Sequence, residues 1–300
     1  MVIMTISVCV LAHNEERLIE RTLGALEEAC GDRAFRAHVI VNGSADRSAA
    51  IVHRLAREDR RIVGHELEIA DKANAWNYYI HELALDAPAH CFLDGDIRPG
   101  RGSIQHLIEA LENNPQAYAA AALPGSGRSK EPWSAELVKN HYLSGNLYAL
   151  SDHAVALMRR RGIRLPVGAK GEDGLLSYLF LTDLQGGKDD THTQRIVNPE
   201  DARFYFDSLS LSPADIRLYW RRLLRYSERS FQNQLLYALL KECGVAALPS
   251  YIREIYTEDR IRDLRPRNRL LYFVSDRLVL NKIRKGSLFP QAEEKKRQEA

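Results

Sequence analysis

Short apolar runs alternate with longer amphipathic stretches along this chain, and each apolar run stops abruptly at polar residues. Thr5 to Ala12 (TISVCVLA) is almost continuously apolar and rich in β-branched residues, the pattern of a strand buried on both faces. It ends at His13-Asn14-Glu15. Asn14 suits a helix N-cap, Glu15 and Glu16 suit a first turn, and Leu18, Ile19, Leu23 and Leu26 then recur on one helical stripe. Ala37 to Val41 predicts a second strand, closed by Asn42-Gly43-Ser44, with a helix starting near Asp46. A helix from about Asp71 carries Ala73, Trp76, Ile80 and Leu83, and His90 to Leu93 then reads as a strand ending in Asp94-Gly95-Asp96. Strand and helix in short alternation predict βαβ units and an α/β fold with a parallel sheet.

Beyond Pro115 the alternation loosens. Tyr118 to Leu123 predicts a further strand, Pro124 to Lys130 a Gly/Ser loop, and from about Leu211 the pattern becomes helical and heavy in arginine. Gln291 to Ala300 is charged and apolar-poor, as expected of a solvated tail. No run approaches the ~18 apolar residues of a membrane span, and no basic-then-apolar leader opens the chain, so a cytoplasmic protein is expected. Four scattered cysteines without a CxxC pair point to reduced thiols, not to disulfides or zinc. The 45% hydrophobic and 27% charged content is that of a globular protein, and a net charge of +2 is too small to imply a nucleic-acid partner.

Three of these strands end in polar clusters, and ligands of open α/β sheets bind outside the carboxyl ends of the strands. One shared crevice is therefore expected. Asp94-Gly95-Asp96 is its sharpest feature: two carboxylates after a buried strand, with a glycine that permits close backbone approach, suit Mg²⁺ or Mn²⁺ completed by water and phosphate oxygens. Lys72, at a predicted helix start, suits a phosphate or ribose. Gly171-Glu172-Asp173-Gly174 offers a second acidic pair, with Asp173 the candidate general base and a plain helix N-cap the competing reading.

The segments VCVLAHNEERLIERTLGAL, VIVNGSADRS, DKANAWN, FLDGDIRPG and a distant GEDG, in this order over about residues 5 to 180, resemble the family 2 glycosyltransferases of GT-A fold. The resemblance implies a Rossmann-like, mostly parallel sheet flanked by helices, and an inverting, metal-dependent sugar transfer. By match to the family's xED motif Asp173 is the base; by match to DxD, Asp94 and Asp96 hold Mn²⁺ or Mg²⁺. It also implies a donor pocket lined by Ala12, Asn14, Glu15, Asn42, Lys72, Asn77 and Asp94, with Glu172 beside the base. Tyr142 to Tyr148 (YLSGNLY) resembles the family's segment facing donor sugar and acceptor, with Gly145 giving room and Asn146 a hydrogen bond. The chain departs from the family at Asn42, where aspartates are usual, and at His13, where proline is; Asp215 to Arg222 is a faint echo of the synthases' QxxRW.

The implied division is a transferase domain over 1–210, with a nucleotide-sugar half (1–125) and an acceptor half (126–210), followed by a helical basic region over 211–300. The expected partners are a UDP-, GDP- or dTDP-sugar and a glycan, glycolipid or other hydroxyl acceptor, in cell-surface glycan or glycolipid assembly. Arg221, Arg225 and Arg229 lie four apart on one helical face, and a second basic amphipathic stretch runs from Arg265 to Lys285. These faces read as solvated, as holding an anionic acceptor or pyrophosphate, or as docking on the anionic inner face of a membrane. Two rivals to the transferase stand: a nucleotidyltransferase, for which a Gly-rich phosphate loop should follow the first strand, and a non-catalytic sugar-nucleotide binder acting through its C-terminal helices. The absence of GxGxxG disfavours a dinucleotide dehydrogenase.

Overall fold

The computed structural model describes residues 5–83, 86–187, 191–207 and 213–288, the side chains of 213–216 excepted; the tail from Gln291 lies outside them. A seven-stranded sheet runs in the order β3 (Ile62–Leu67), β2 (Phe35–Asn42), β1 (Ile6–Ala12), β4 (Ala89–Asp94), β8 (Leu147–Ser151), β6 (Ala119–Ala121), β9 (Ile196–Val197). The first four strands are mutually parallel, and β8 is antiparallel to both β4 and β6. A small sheet of β5 (Arg98–Pro99), β10 (Arg203–Tyr205) and β7 (Leu123–Pro124) closes one side. This is the α/β architecture expected, mostly parallel and flanked by helices. The sheet also holds three strands that the local pattern does not announce, β3 and β9 at its two edges and β8 in the middle.

All seven residues of β1 are buried, because each face of the sheet carries its own core. Cys9, Leu11 and Phe92 pack on one side with Trp76 and Tyr79; Val8, Val10 and Leu93 pack on the other with Ile104 and Leu107. Trp76 lies on α4 (Lys72–Tyr78) and donates its indole N–H to the Tyr148 hydroxyl of β8 at 2.9 Å, while Phe92 stacks on the Tyr148 ring. Asp71 caps α4 by accepting from Asn74 N, and its other oxygen accepts from Gly168 N at 2.9 Å. The cap thus ties α4 to the loop that leads into α8 (Glu172–Leu181).

The first helical stretch differs from expectation. Asn14 is not an N-cap but sits in the left-handed region at φ 57, which asparagine tolerates better than most residues. Helix begins only at α1 (Ile19–Gly24) and resumes as α2 (Leu26–Cys30), burying Ile19, Leu23 and Leu26 as the stripe requires. The C-terminal region is helical: α9 (Pro213–Cys243), α10 (Glu258–Arg262) and α11 (Phe273–Arg284). Phe231, Leu235 and Leu240 of α9 and Val279 and Ile283 of α11 belong to the same core as Trp76 and Leu176, so this region packs on the sheet domain. Among the described residues no helix is long and apolar enough to cross a membrane.

Candidate functional site

The loops after β1 and β2 are stitched to each other. Asn14 N donates to Ser44 Oγ, and Asn14 Oδ1 accepts from Ala45 N at 2.8 Å. Glu15 N donates to Ser48 Oγ at 2.8 Å, and His13 Nδ1 donates to the carbonyl of Asn42 at 2.7 Å. Asp46 accepts from Ser48 N and Oγ with one oxygen and from Glu16 N with the other, which holds its carboxyl below the usual range even against desolvation. This backbone tailoring, by Ser44, Asp46 and Ser48, is what keeps Glu15 at the rim of the crevice.

Three carboxylates meet there. Burial, then the charges of Asp96 and Asp94, push Glu15 up to about 8. Burial also pushes Asp94 up to about 7, with Lys72 opposing and Asp96 and Glu172 adding to the rise. Gly95 makes this crowding possible: its N–H donates to Leu11 O, and a Cβ there would come within 3.1 Å of the Ala12 side chain. Hard oxygen donors that repel one another this way fit a divalent cation such as Mg²⁺ or Mn²⁺. Among the described residues no three His, Cys, Asp or Glu side chains converge closely enough to enclose a metal alone. The set suits a cation of which two carboxylates take one side and phosphate oxygens and water the other.

Lys72 joins this cluster to the second acidic pair. Its Nζ lies 2.6 Å from Asp94 Oδ1 and 2.6 Å from Glu172 Oε1, and donates to the carbonyl of Gly145 at 3.1 Å. Burial works against the ammonium, but the two carboxylates outweigh it and hold the proton well above the ordinary lysine range. Glu172, which burial alone would push up, is held below the usual range by Lys72. Asn146 closes the ring, donating to Asp94 Oδ2 at 3.3 Å while its carbonyl accepts from Asp94 N. The YLSGNLY segment is in turn fixed to α8, since Leu143 N donates to Ser177 Oγ and that hydroxyl donates to Asp173 O.

Asp173 lies in the first turn of α8, as the N-cap reading required of this segment, but Gly171 is the cap and Asp173 has a different partner. Arg229 of α9 reaches it at 3.0 Å. Desolvation opposes the Arg229 charge and Asp173 upholds it, leaving the guanidinium's proton bound more firmly than usual. The two glycines of GEDG make room for that guanidinium: Gly171 has φ +83 and a Cβ on it would fall on Arg229, and a Cβ on Gly174 would lie 2.8 Å from Arg229 Nη2. Gly171→Ala is therefore expected to push Arg229 off Asp173 and to force a left-handed alanine, lowering stability by about 1–3 kcal/mol. Any turnover that depends on Asp173 should fall by about tenfold or more, the usual scale for a displaced active-site group, with ligand affinity at the Asp94 end unchanged. A rate assay paired with a ligand titration decides it, and wild-type rates in Gly171→Ala would contradict the arrangement.

The structure thus brings Asn14, Glu15, Lys72, Asp94, Gly145, Asn146 and Glu172 to one crevice rim, with Asp96 beside Glu15 and Asp173 beside Glu172. Asn77 is not brought there. It is on the buried face of α4, and its amide is spent both ways on the backbone of Leu165. Ala12 and Asn42 are buried at strand ends, where Ala12 meets Gly95 and Asn42 offers its carbonyl to His13. Sequence reasoning saw Arg229 only as part of a basic stripe. The available signal was the pair of glycines around Glu172-Asp173, which mark a close approach by something bulky.

The family model described as glycosyl transferase family 2 matches residues 7–161. No curated protein matches the chain in sequence. Solved structures of the same fold include a mannosyltransferase of Pyrobaculum calidifontis in complex with GDP-Man and Mn²⁺ (TM-score 0.59, 16% identity, covering 97% of this chain and 78% of that one). Residues 1–349 of S. aureus TarS match with a TM-score of 0.54 and 15% identity, covering 99% of this chain and 92% of that one. The glucosyl-3-phosphoglycerate synthase of Mycobacterium tuberculosis, in complex with Mn²⁺, UDP-Glc and phosphoglyceric acid, matches with a TM-score of 0.50 and 20% identity, covering 75% of this chain and 79% of that one.

Proposed function

Since the chain belongs to glycosyltransferase family 2, we propose that it moves a single sugar from a nucleoside diphosphate donor to an acceptor hydroxyl, with inversion at the anomeric carbon. The observation that carries this reading is the Lys72 bridge, which ties Asp94 of the DxD segment to Glu172 of the ED segment at 2.6 Å each. Two acidic motifs far apart in sequence thereby share one crevice, as a reaction between a diphosphate donor and a deprotonated acceptor needs.

In this reading Asp173 takes the proton of the acceptor hydroxyl. The oxygen forms its bond to the anomeric carbon while the bond to the diphosphate breaks on the opposite face, and the nucleoside diphosphate leaves with the electron pair. Arg229 holds the Asp173 carboxylate in place and keeps it from turning away. A divalent cation, Mn²⁺ or Mg²⁺, held by Asp94 and Asp96 would supply positive charge to the departing diphosphate. Lys72 is placed to hold Asp94 and Glu172 in register, and Asn14 and Glu15 to face the nucleoside. Residues 1–125 then form the donor half and 126–210 the acceptor half, with the basic helices of 211–300 alongside. The metal and nucleotide sugars bound in the solved neighbours agree with this reading, and UDP-, GDP- and dTDP-sugars are the donors it admits, for cell-surface glycan or glycolipid assembly.

Thermal unfolding in the presence of UDP, GDP, CDP and dTDP, each with and without Mn²⁺, tests the proposal. One nucleotide should raise the unfolding temperature in the presence of metal, since a ligand at a hundred times its Kd stabilises by about 2.7 kcal/mol. If none does so, the donor reading fails.

A further inference from the structure

Two helical surfaces of the C-terminal region leave apolar side chains in water. Among the described residues eleven large hydrophobics are exposed, and nine of them lie on α9 or between Leu270 and Leu278. Leu270 is 93% exposed, and Leu271, Phe273, Val274 and Leu278 follow it on the short turn and first half of α11. On α9 the exposed set is Leu218, Tyr219, Trp220 and Tyr226. The helices are joined, since Ser227 Oγ donates to Ser275 Oγ at 2.8 Å and Arg267 donates to Ser227 Oγ.

The charge around these side chains has one sign. Residues 217–227 and 267–288 carry ten arginines and lysines against a single acid, Asp276, in a chain whose net charge is only +2. That acid is buried and paired with Arg267 at 2.6 Å, so the two cancel and nine basic side chains remain. Arg277 lies over the exposed Phe273 ring at 3.5 Å, which places a cation beside the apolar tip. A solvated helix face would not gather most of the protein's exposed apolar side chains, and a binding face for a free anion would not need them. Apolar side chains ringed by basic residues match an interface that is hydrocarbon below and anionic above.

We propose that the Leu270–Leu278 surface, with Arg269, Arg277, Lys282 and Arg284 around it, docks this protein on an anionic phospholipid membrane. The apolar residues enter the boundary between headgroups and acyl chains, and the basic residues pair with lipid phosphates. Arg229, which holds the candidate base, lies on the same helix as Trp220, nine positions away, about 14 Å along the axis. The proposal stands apart from the transferase reading, because lipid binding needs neither donor nor turnover.

The test is co-sedimentation of the full chain with phosphatidylcholine vesicles, with and without phosphatidylglycerol. Binding should require phosphatidylglycerol and fall at high salt. The triple variant Leu270→Ser, Leu271→Ser, Val274→Ser should bind about tenfold less or weaker still, as should Arg269→Glu with Arg284→Glu. These residues are exposed, so each variant should keep the wild-type unfolding temperature, which shows that lost binding is not lost folding. Equal pelleting with both vesicle types, no pelleting of the wild type, or undiminished binding by both variants overturns the proposal. So does a wild type that is dimeric by light scattering and a triple variant that is monomeric, since a second copy would then cover the face.

Discussion

Asp173→Asn is expected to lower sugar transfer by about 10²–10⁴-fold, the contribution of a positioned general base, while donor affinity stays within about twofold of wild type. The asparagine keeps the shape of the side chain and can still meet Arg229, but it cannot take a proton from the acceptor. Asp173 also lies apart from the Asp94–Asp96 end of the crevice, with Glu172 and Lys72 between, so the donor's pyrophosphate contacts should survive. A loss confined to turnover marks a base; a parallel loss of donor binding would mean that Asp173 belongs to the donor pocket. A variant that transfers sugar at the wild-type rate removes Asp173 from the chemistry altogether. The same variant separates a transferase from a sugar-nucleotide binder, whose partner interactions would not change. Because the substitution leaves the Arg229 charge without its counter-ion, thermal unfolding of the variant should be recorded beside its kinetics.

Lys72→Met is expected to have the largest effect on stability. The ammonium neutralises two carboxylates at 2.6 Å, and Glu172 is almost wholly buried. Removing it leaves Asp94 and Glu172 facing each other with Asp96 and Glu15 nearby and no cation among them. Breaking a buried pair costs about 3–5 kcal/mol, and the partial exposure of Lys72 puts this case at about 3. In a chain of this size that corresponds to a drop of roughly 6 °C in unfolding temperature. Methionine fills much the same volume as the lysine stem, so the loss reports charge and not a cavity. Differential scanning calorimetry of the two proteins without metal reads it directly. An unchanged unfolding temperature would mean that the two acidic motifs do not depend on Lys72.

The legible parts of this protein are those whose cause is local. β1 and β4 are short apolar runs because both of their faces are covered, and the acids that follow β4 stand out for the same reason: the burial stops there. β3 (IVGHEL) is hidden because an edge strand is covered unevenly, and its partly exposed residues break the apolar run. β8 is hidden because its place between β4 and β6 is decided by pairing with residues far away in sequence. Asn14 looked like a helix cap by type, yet its side chain serves Ala45 across the crevice, which no local rule announces. Arg229 is the most instructive case. Four-residue spacing groups it with Arg221 and Arg225, but those two are exposed whereas Arg229 is drawn in toward Asp173. The helix passes from solvent onto the core along its length, so one stripe has two environments. The resemblance to family 2 glycosyltransferases pointed to Asp173 as the base without revealing the arginine that meets it.

The central claim is that Asp94 and Asp96 share a divalent cation with the diphosphate of the donor. Calorimetric titration of the matching nucleoside diphosphate, with and without Mn²⁺, into the wild type and into Asp96→Ala tests it most directly. The account predicts that Mn²⁺ tightens binding to the wild type by about tenfold or more and leaves the affinity of Asp96→Ala unchanged. Equal tightening in both proteins would contradict it.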